Sequence, residues 1–261
     1  SEMCIRDSSG GIDSALTATI AVDALGSDNV VGVALPSKYN TEESLVDARL
    51  LAENLDIEFK VIEIEEIVNI FRNTLKESVN DELGQITDEN IQSRVRGNIL
   101  MALSNQTGAM VVSTGNKSEM AVGYSTLYGD LAGGFALLKD LYKTEVYNLA
   151  NFRNSISSVI PQNTIDKEPS AELRPDQFDK DSLPEYELLD EILRMYIEED
   201  SSSEKIIAKG IDENIVYDVL SKVDRNEYKR KQVAPGVKLT EKAFGKDRRM
   251  PITNTYIRER G

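Results

Sequence analysis

The 261-residue sequence contains no histidine, no tryptophan and a single cysteine, Cys4. Each absence removes a class of chemistry. Without histidine neither a Ser-His-Asp nor a Cys-His nucleophilic centre can be assembled, and the commonest general base is missing. One cysteine closes no internal disulfide and, with no histidine to join it, makes none of the common structural zinc sites. No stretch approaches the roughly 20 consecutive apolar residues that cross a bilayer, and the first residues lack the apolar run of a secretory signal, so a cytoplasmic protein is expected. Positive charge is scarce as well: 30 Lys and Arg stand against 45 Asp and Glu, a net charge of −15. That balance argues against a general nucleic-acid binder, because phosphate neutralisation supplies most of such affinity. Any catalysis must rest on carboxylates, lysines, hydroxyls or a metal held by oxygen.

What is present suffices for a core. Apolar residues make up 40% of the chain, and the length suits one large domain or two small ones. The charge is unevenly spread: from Lys222 to Gly261 twelve Lys and Arg face five Asp and Glu, a local +7 on a body of −22. A basic tail on an acidic body is either a local anion site or a solvated, subunit-contacting tail.

The first half alternates strands and helices, the pattern of a parallel sheet covered on both faces. A helix is expected over 15–25, closed by Gly26, then an apolar strand over 29–35 and a helix over 41–55 opened by Asn40 with Glu43. A strand over 58–64, helices over 65–79 and 88–105, and a buried strand over 109–113 follow. Three strand-then-helix units predict a doubly wound α/β fold. Beyond Gly123 come a glycine-containing stretch and a helix over 142–152. Residues 155–184 hold four of the seven prolines and are expected to be a long loop, ordered or mobile, of a length that is usually functional or disordered. An amphipathic segment over 183–199 and a helix over 212–231, basic in its last turns, follow.

The run Ser9-Gly10-Gly11-Ile12-Asp13-Ser14 sits at the opening of the first α/β unit. Glycines let a backbone approach an anion closely, and a helix beginning near Asp13 would offer unpaired N–H groups to it. The hydroxyls of Ser9 and Ser14 are further donors, and Asp13 offers a carboxylate to a magnesium ion that accompanies a nucleotide. There is neither a GxxxxGK[ST] nor a GxGxxG pattern, which excludes the Walker and dinucleotide fingerprints. Taken alone, the run is a phosphate loop or an ordinary turn. The preceding Met3-Cys4-Ile5-Arg6-Asp7 is a poor apolar strand, so residues 1–8 are expected to be a non-native or truncated leader.

SGGIDS resembles the signature of the N-type ATP pyrophosphatases, which cleave ATP between the α and β phosphates and include NAD, GMP and asparagine synthetases. Longer segments narrow the likeness: STGNKSEMAVGYSTLYGDLAGGFALLKDLYKTEVYNLA at 113–150, PSAELRPDQFDKDSLPEYELLD at 169–190 and YKRKQVAPGVKLTEKAFGKDRRMPITN at 228–254. Together they resemble the synthetase part of glutamine-dependent NAD synthetases, over residues 9–261. The resemblance implies a Rossmann-like, adenine nucleotide alpha-hydrolase-like fold and an ATP-dependent amidation of deamido-NAD to NAD through an adenylated intermediate, a ligase reaction releasing AMP and pyrophosphate. It implies ATP contacts at Ser9, Gly10, Gly11, Ile12, Asp13, Ser14, Thr114, Lys143 and Ser170, with magnesium shared by Asp13 and Glu119. Deamido-NAD contacts are implied at Asn90, Arg94, Glu119 and Lys229, with Arg96 as the alternative phosphate ligand to Arg94. No covalent nucleophile is expected. Relatives carry an upstream glutaminase domain that makes ammonia, which the resemblance implies for the native full-length chain and which is not expected within residues 9–261, and they associate as homodimers or larger homo-oligomers. By position alone Glu119 reads equally as a solvated helix-start carboxylate, Thr114 as a helix N-cap, and either arginine as a surface ion pair. GMP synthetase chemistry and an inactive nucleotide-binding module are the competing functional readings.

Overall fold

The computed structural model describes residues 3–7, 10–79 and 81–252. The elements run β1 Met3–Asp7, α1 Ile12–Leu25, β2 Val30–Ala34, α2 Glu42–Leu55, β3 Glu58–Val61, α3 Glu65–Val79, α4 Gln85–Thr107, β4 Met110–Ser113 and α5 Lys117–Val122. They continue with β5 Phe135–Ala136, α6 Lys143–Ile156, α7 Gln162–Asp166, α8 Tyr186–Ile197, α9 Ser203–Ile207, α10 Glu213–Arg225 and α11 Glu227–Arg230.

The strands form one sheet in the order β3-β2-β1-β4-β5, with every pairing parallel. In register, Met3 pairs with Val30 on one side and Met110 on the other. β2 is buried along its whole length, as a near-continuous Val-rich run must be when helices cover both faces. One face buries Ile12 and Leu16 of α1, Leu51 and Leu55 of α2, and Val146 and Ala150 of α6 in a common core. The other packs Val31 and Val33 against Val68 of α3 and Ile91 and Val95 of α4. This is the expected doubly wound arrangement. A separate helical core joins α5, α8, α9 and α10 around Leu189, Leu193, Val219 and Val223.

Met3–Asp7, apolar-poor though it is, occupies the central strand, because its backbone finds a ladder partner on each side. α2 is capped by Thr41, whose hydroxyl accepts from Ser44 N at 3.2 Å, and not by the Asn40 and Glu43 pair. Asn40 is otherwise engaged: its Oδ1 accepts from Ser37 N at 2.8 Å and from Arg96 Nη2 at 3.0 Å. The stretch 155–184 is more ordered than its prolines imply. It contains α7, and Ile160 and Ile165 are buried in the α1/α6 core. The expected single helix over 212–231 breaks at Asn226, which caps α11 and ties it back through Nδ2 to Val122 O at 2.9 Å. Short elements such as β5 and α9 left no usable period in the sequence.

Candidate functional site

The strand order reverses direction between β1 and β4, where crevices open at the carboxyl ends of parallel strands. A cleft of about 440 Å3 lies there, within the size range of small-molecule sites. Gly11, Ile12, Asp13, Ser14, Asn90, Thr114, Glu119, Lys143, Ser170 and Lys229, all singled out from the sequence, line it. Ser9 falls outside the described residues.

The floor is the N-terminus of α1. Gly10 has φ +62°, and a Cβ there would fall 2.5 Å from Ser44 O, so only glycine permits this close approach of the loop to α2. Gly11 is the N-cap in extended conformation and makes no side-chain cap bond, and the positive end of the helix dipole lies where Gly11, Ile12, Asp13 and Ser14 line the cleft. The Ser14 hydroxyl donates to Gly11 O at 2.8 Å.

Facing this terminus is a charge cluster drawn from four distant places in the chain. Lys143 Nζ, at the start of α6, bonds Asp13 Oδ2 and, at 3.2 Å, Glu119 Oε1. Asp179 adds a further buried carboxylate, with Oδ2 accepting from the Tyr186 hydroxyl at 2.7 Å. Burial disfavours the lysine's charge, yet the Asp13, Glu119 and Asp179 carboxylates together hold its pKa above the ordinary lysine value. Burial, then repulsion from Asp13 and Asp179, pushes Glu119 up to about 8 against the pull of Lys143. Asp179 is raised too, chiefly by desolvation. One cation among several carboxylates leaves the cluster short of positive charge, a setting that suits a metal-nucleotide complex.

That shift has a stability consequence. Unfolded glutamate titrates near 4.5, so between there and about 8 unfolding releases the Glu119 proton, and stability falls as pH rises through the window. Glu119→Gln removes this titration while keeping the neutral shape. Denaturant midpoints of the two proteins are expected to agree below about pH 4.5, to diverge progressively from there to about pH 8 and to keep a constant gap above it, with the variant the more stable. A variant less stable than the parent at about pH 8.5 would show that the ionised carboxylate is stabilising instead.

Asn116, absent from the expectations, joins the cluster's two halves. It is the N-cap of α5, accepting from Glu119 N at 3.0 Å, and its Nδ2 donates to Asp13 Oδ1 at 2.9 Å. Thr114, the other candidate cap, lies at the β4 tip facing the cleft. The legible signal was an Asn three residues before a Glu at a strand-to-helix turn. Asp179 gave no local signal at all.

Two basic residues behave differently from the expectations. Arg94 is exposed, donates to Leu127 O at 3.2 Å and stays out of the cleft. Asn90, Ser93 and Arg96 line it instead, because the α4 stripe that meets the cleft runs through those positions and leaves Arg94 at its side. Lys229 spends two protons on Gly123 O and Ser125 O, each at 2.7 Å, fixing the loop after α5. Its neighbour Arg230 is buried, donating to Ala121 O at 2.6 Å, so this part of the basic tail is built into the fold and not solvated. Ser170 lines the cleft but bonds within its own loop, to Gln177 O.

Could the cluster hold magnesium? Among the described residues, no group of three or more His, Cys, Asp or Glu side chains could hold a metal ion unaided. Asp13 and Glu119 nonetheless point at one common atom, Lys143 Nζ. Two hard carboxylates converging beside a helix N-terminus fit an ion that takes its remaining ligands from phosphate and water.

Residues 3–233 match the family model described as NAD synthase. The chain belongs to the NAD synthase family. It is 53% identical over 257 residues to the glutamine-dependent NAD(+) synthetase of Aquifex aeolicus, covering 98% of this chain and 45% of that protein. With the Thermotoga maritima counterpart it shares 54% identity over 250 residues, covering 95% and 43%. The chain thus spans a little under half the length of these relatives. Among solved structures it resembles the glutamine-dependent NAD+ synthetase of Acinetobacter baumannii in complex with ADP, with TM-score 0.62, 48% identity and coverage of 97% and 45%. It also resembles the NMN synthetase of Francisella tularensis, with TM-score 0.73, 28% identity and coverage of 92% and 88%. A synthetase from Cytophaga hutchinsonii at 21% identity and TM-score 0.83 shares the fold. Among the described residues of this NAD synthase family chain, no helix is long and apolar enough to cross a membrane.

Proposed function

We propose that this chain carries out the ATP-dependent amidation of deamido-NAD to NAD. The observation that carries the reading is the convergence, at the sheet's switch point, of the α1 N-terminus with Asp13, Glu119 and Lys143 in a chain of the NAD synthase family. In this reaction an oxygen of the nicotinate carboxylate attacks the α-phosphorus of ATP, the bond to the β-phosphate breaks and pyrophosphate leaves. Ammonia then attacks the acyl carbon, AMP departs, and the new amide sheds a proton.

The first step sets an anion against an anion, so its barrier is largely electrostatic. First-turn amides of α1 and the Lys143 ammonium supply fixed positive potential where pyrophosphate charge builds. No protein nucleophile is required, which accords with a sequence lacking histidine. Magnesium, held through Asp13 and Glu119, would neutralise phosphate charge when bound. Thr114 and Ser170 would border the nucleotide and Asn90 the dinucleotide. In this reading ammonia comes from solution, or from a glutaminase part such as the glutamine-dependent relatives require, and the synthetase part associates as a homodimer or larger assembly.

Incubation with ATP, magnesium, ammonium chloride and deamido-NAD is expected to yield NAD and pyrophosphate in equal amounts. No pyrophosphate release would overturn the reading. Turnover of nicotinate mononucleotide or xanthosine monophosphate in place of deamido-NAD would move the substrate assignment. ATP binding without turnover, unchanged in Asp13→Ala, would identify a nucleotide-binding module instead.

A further inference from the structure

We infer that Asn116 is a positioning residue that sets the distance and orientation between the two carboxylates of the cleft, Asp13 and Glu119. The inference rests on the proposed ATP site. Asp13 rides on the first turn of α1, after the central strand, and Glu119 on the first turn of α5, after β4. Among the described residues no backbone hydrogen bond joins those two helix starts, and the two side chains share the ammonium of Lys143, which comes from a third element, α6. Asn116 is the short, rigid link. Its amide oxygen accepts from Glu119 N at 3.0 Å, and its amide nitrogen donates to Asp13 Oδ1 at 2.9 Å. The side chain is fully buried, so both bonds form away from competing water.

The geometry divides the labour on Asp13. Oδ1 is held by Asn116 and Oδ2 is turned to Lys143. A carboxylate pinned on one oxygen presents the other in a single orientation, the arrangement by which outer partners orient metal and phosphate ligands. Because the same amide caps α5, rotating it to release Asp13 would also uncap the helix that carries Glu119. Only Asn does both jobs with one short side chain: Asp and Ser cap equally well, but Asp offers no donor, and Ser is too short to bridge both groups at once.

That difference gives the test. Asn116→Ser and Asn116→Asp both preserve the cap and both lose the bond to Asp13, and Asn116→Asp sets a like charge against it. Thermal unfolding, ATP affinity by calorimetry with and without magnesium, and steady-state turnover are measured on all three proteins. Asn116→Ser is expected to unfold close to the parent temperature and Asn116→Asp below it, because its buried carboxylate faces Asp13. Their ATP affinity in the presence of magnesium should fall roughly 10- to 100-fold, more in Asn116→Asp, with little change in its absence. Turnover should need correspondingly more magnesium to reach half its maximum. If both variants bind ATP with magnesium within about twofold of the parent, or if affinity falls equally with and without magnesium, Asn116 is a helix cap alone and the inference is overturned. A parent protein that binds no ATP overturns the nucleotide site itself, which is a separate result from variants that bind like the parent.

Discussion

Lys143→Ala is expected to lower turnover by roughly 10²- to 10³-fold, the usual cost of removing one fixed positive group from a site where negative charge develops. The reason lies in the charge count of the cleft. Lys143 bonds Asp13 and Glu119, and Asp179 adds to the field that keeps it protonated. Without the ammonium, like-charged carboxylates face one another in a poorly hydrated pocket, and the same groups repel the phosphates that the helix N-terminus attracts. Protonation relieves part of the strain: Glu119 already titrates at about 8, and loss of Lys143 drives it higher. The variant's deficit is therefore expected to be larger in turnover than in thermal stability. Lys143→Arg should restore the charge without restoring full activity, since a planar fork does not replace a point charge set between two carboxylates. Pyrophosphate release by parent, Ala and Arg proteins checks this. Retention of more than about a tenth of parent turnover by Lys143→Ala would remove the lysine from the reaction.

The largest stability loss is expected from Lys117→Met, two residues before Glu119. Lys117 is wholly buried; its ammonium bonds Asp140 Oδ1 at 3.0 Å, Glu198 Oε1 at 3.1 Å and Lys242 O at 3.1 Å, and also the Thr240 hydroxyl. Asp140 in turn accepts from Leu239 N and Thr240 N, each at 2.7 Å. This cluster fastens the segment 239–242 against the start of α5. Removing one member of a buried pair leaves the other charge uncompensated, at about 3–5 kcal/mol, a large part of the roughly 5–15 kcal/mol that holds a domain folded. Chemical denaturation of the parent and variant measures it.

Its pH dependence has a definite sign. Burial works against ionisation of Asp140, but the two backbone donors and Lys117 hold its pKa below the ordinary aspartate value. The stabilisation is present above pH about 4 and is lost as pH falls through the lower folded-state value. The gap between parent and variant should therefore narrow in acid. Adding Asp140→Asn to Lys117→Met should recover part of the loss by removing the orphaned charge. A loss under about 1 kcal/mol at neutral pH would mean that water reaches the cluster.

How far the sequence carried depends on the range of the interaction. The strands β2 and β4 and the helices α1, α3 and α4 were legible because apolar period and terminal glycines are properties of neighbouring residues. Gly26 and Gly108 end α1 and α4 as such glycines do. The α2 cap was misassigned for the opposite reason: Asn40 is a good cap by type, but its side chain is drawn off by Arg96, 56 residues away. Order within 155–184 was equally hidden, since Ile160 and Ile165 acquire a partner only when α1 and α6 pack. The family resemblance brought most site residues to one cleft, yet it could not show that Arg94 points elsewhere on α4 while Arg96 lines it.

By itself the sequence determined the chemistry available: no histidine, no disulfide, a glycine turn ahead of a helix, and an alternation of strand and helix that leads to a parallel sheet. What only the tertiary structure decided is the electrostatics. Residues 13, 116, 119, 143 and 179 become neighbours because the crossovers of a parallel sheet return the chain to the carboxyl ends of its strands. Their pKa shifts, their sharing of one ammonium and the bridge through Asn116 then follow from burial and distance. Coulomb energies and desolvation depend on separations in space, and no local period encodes those.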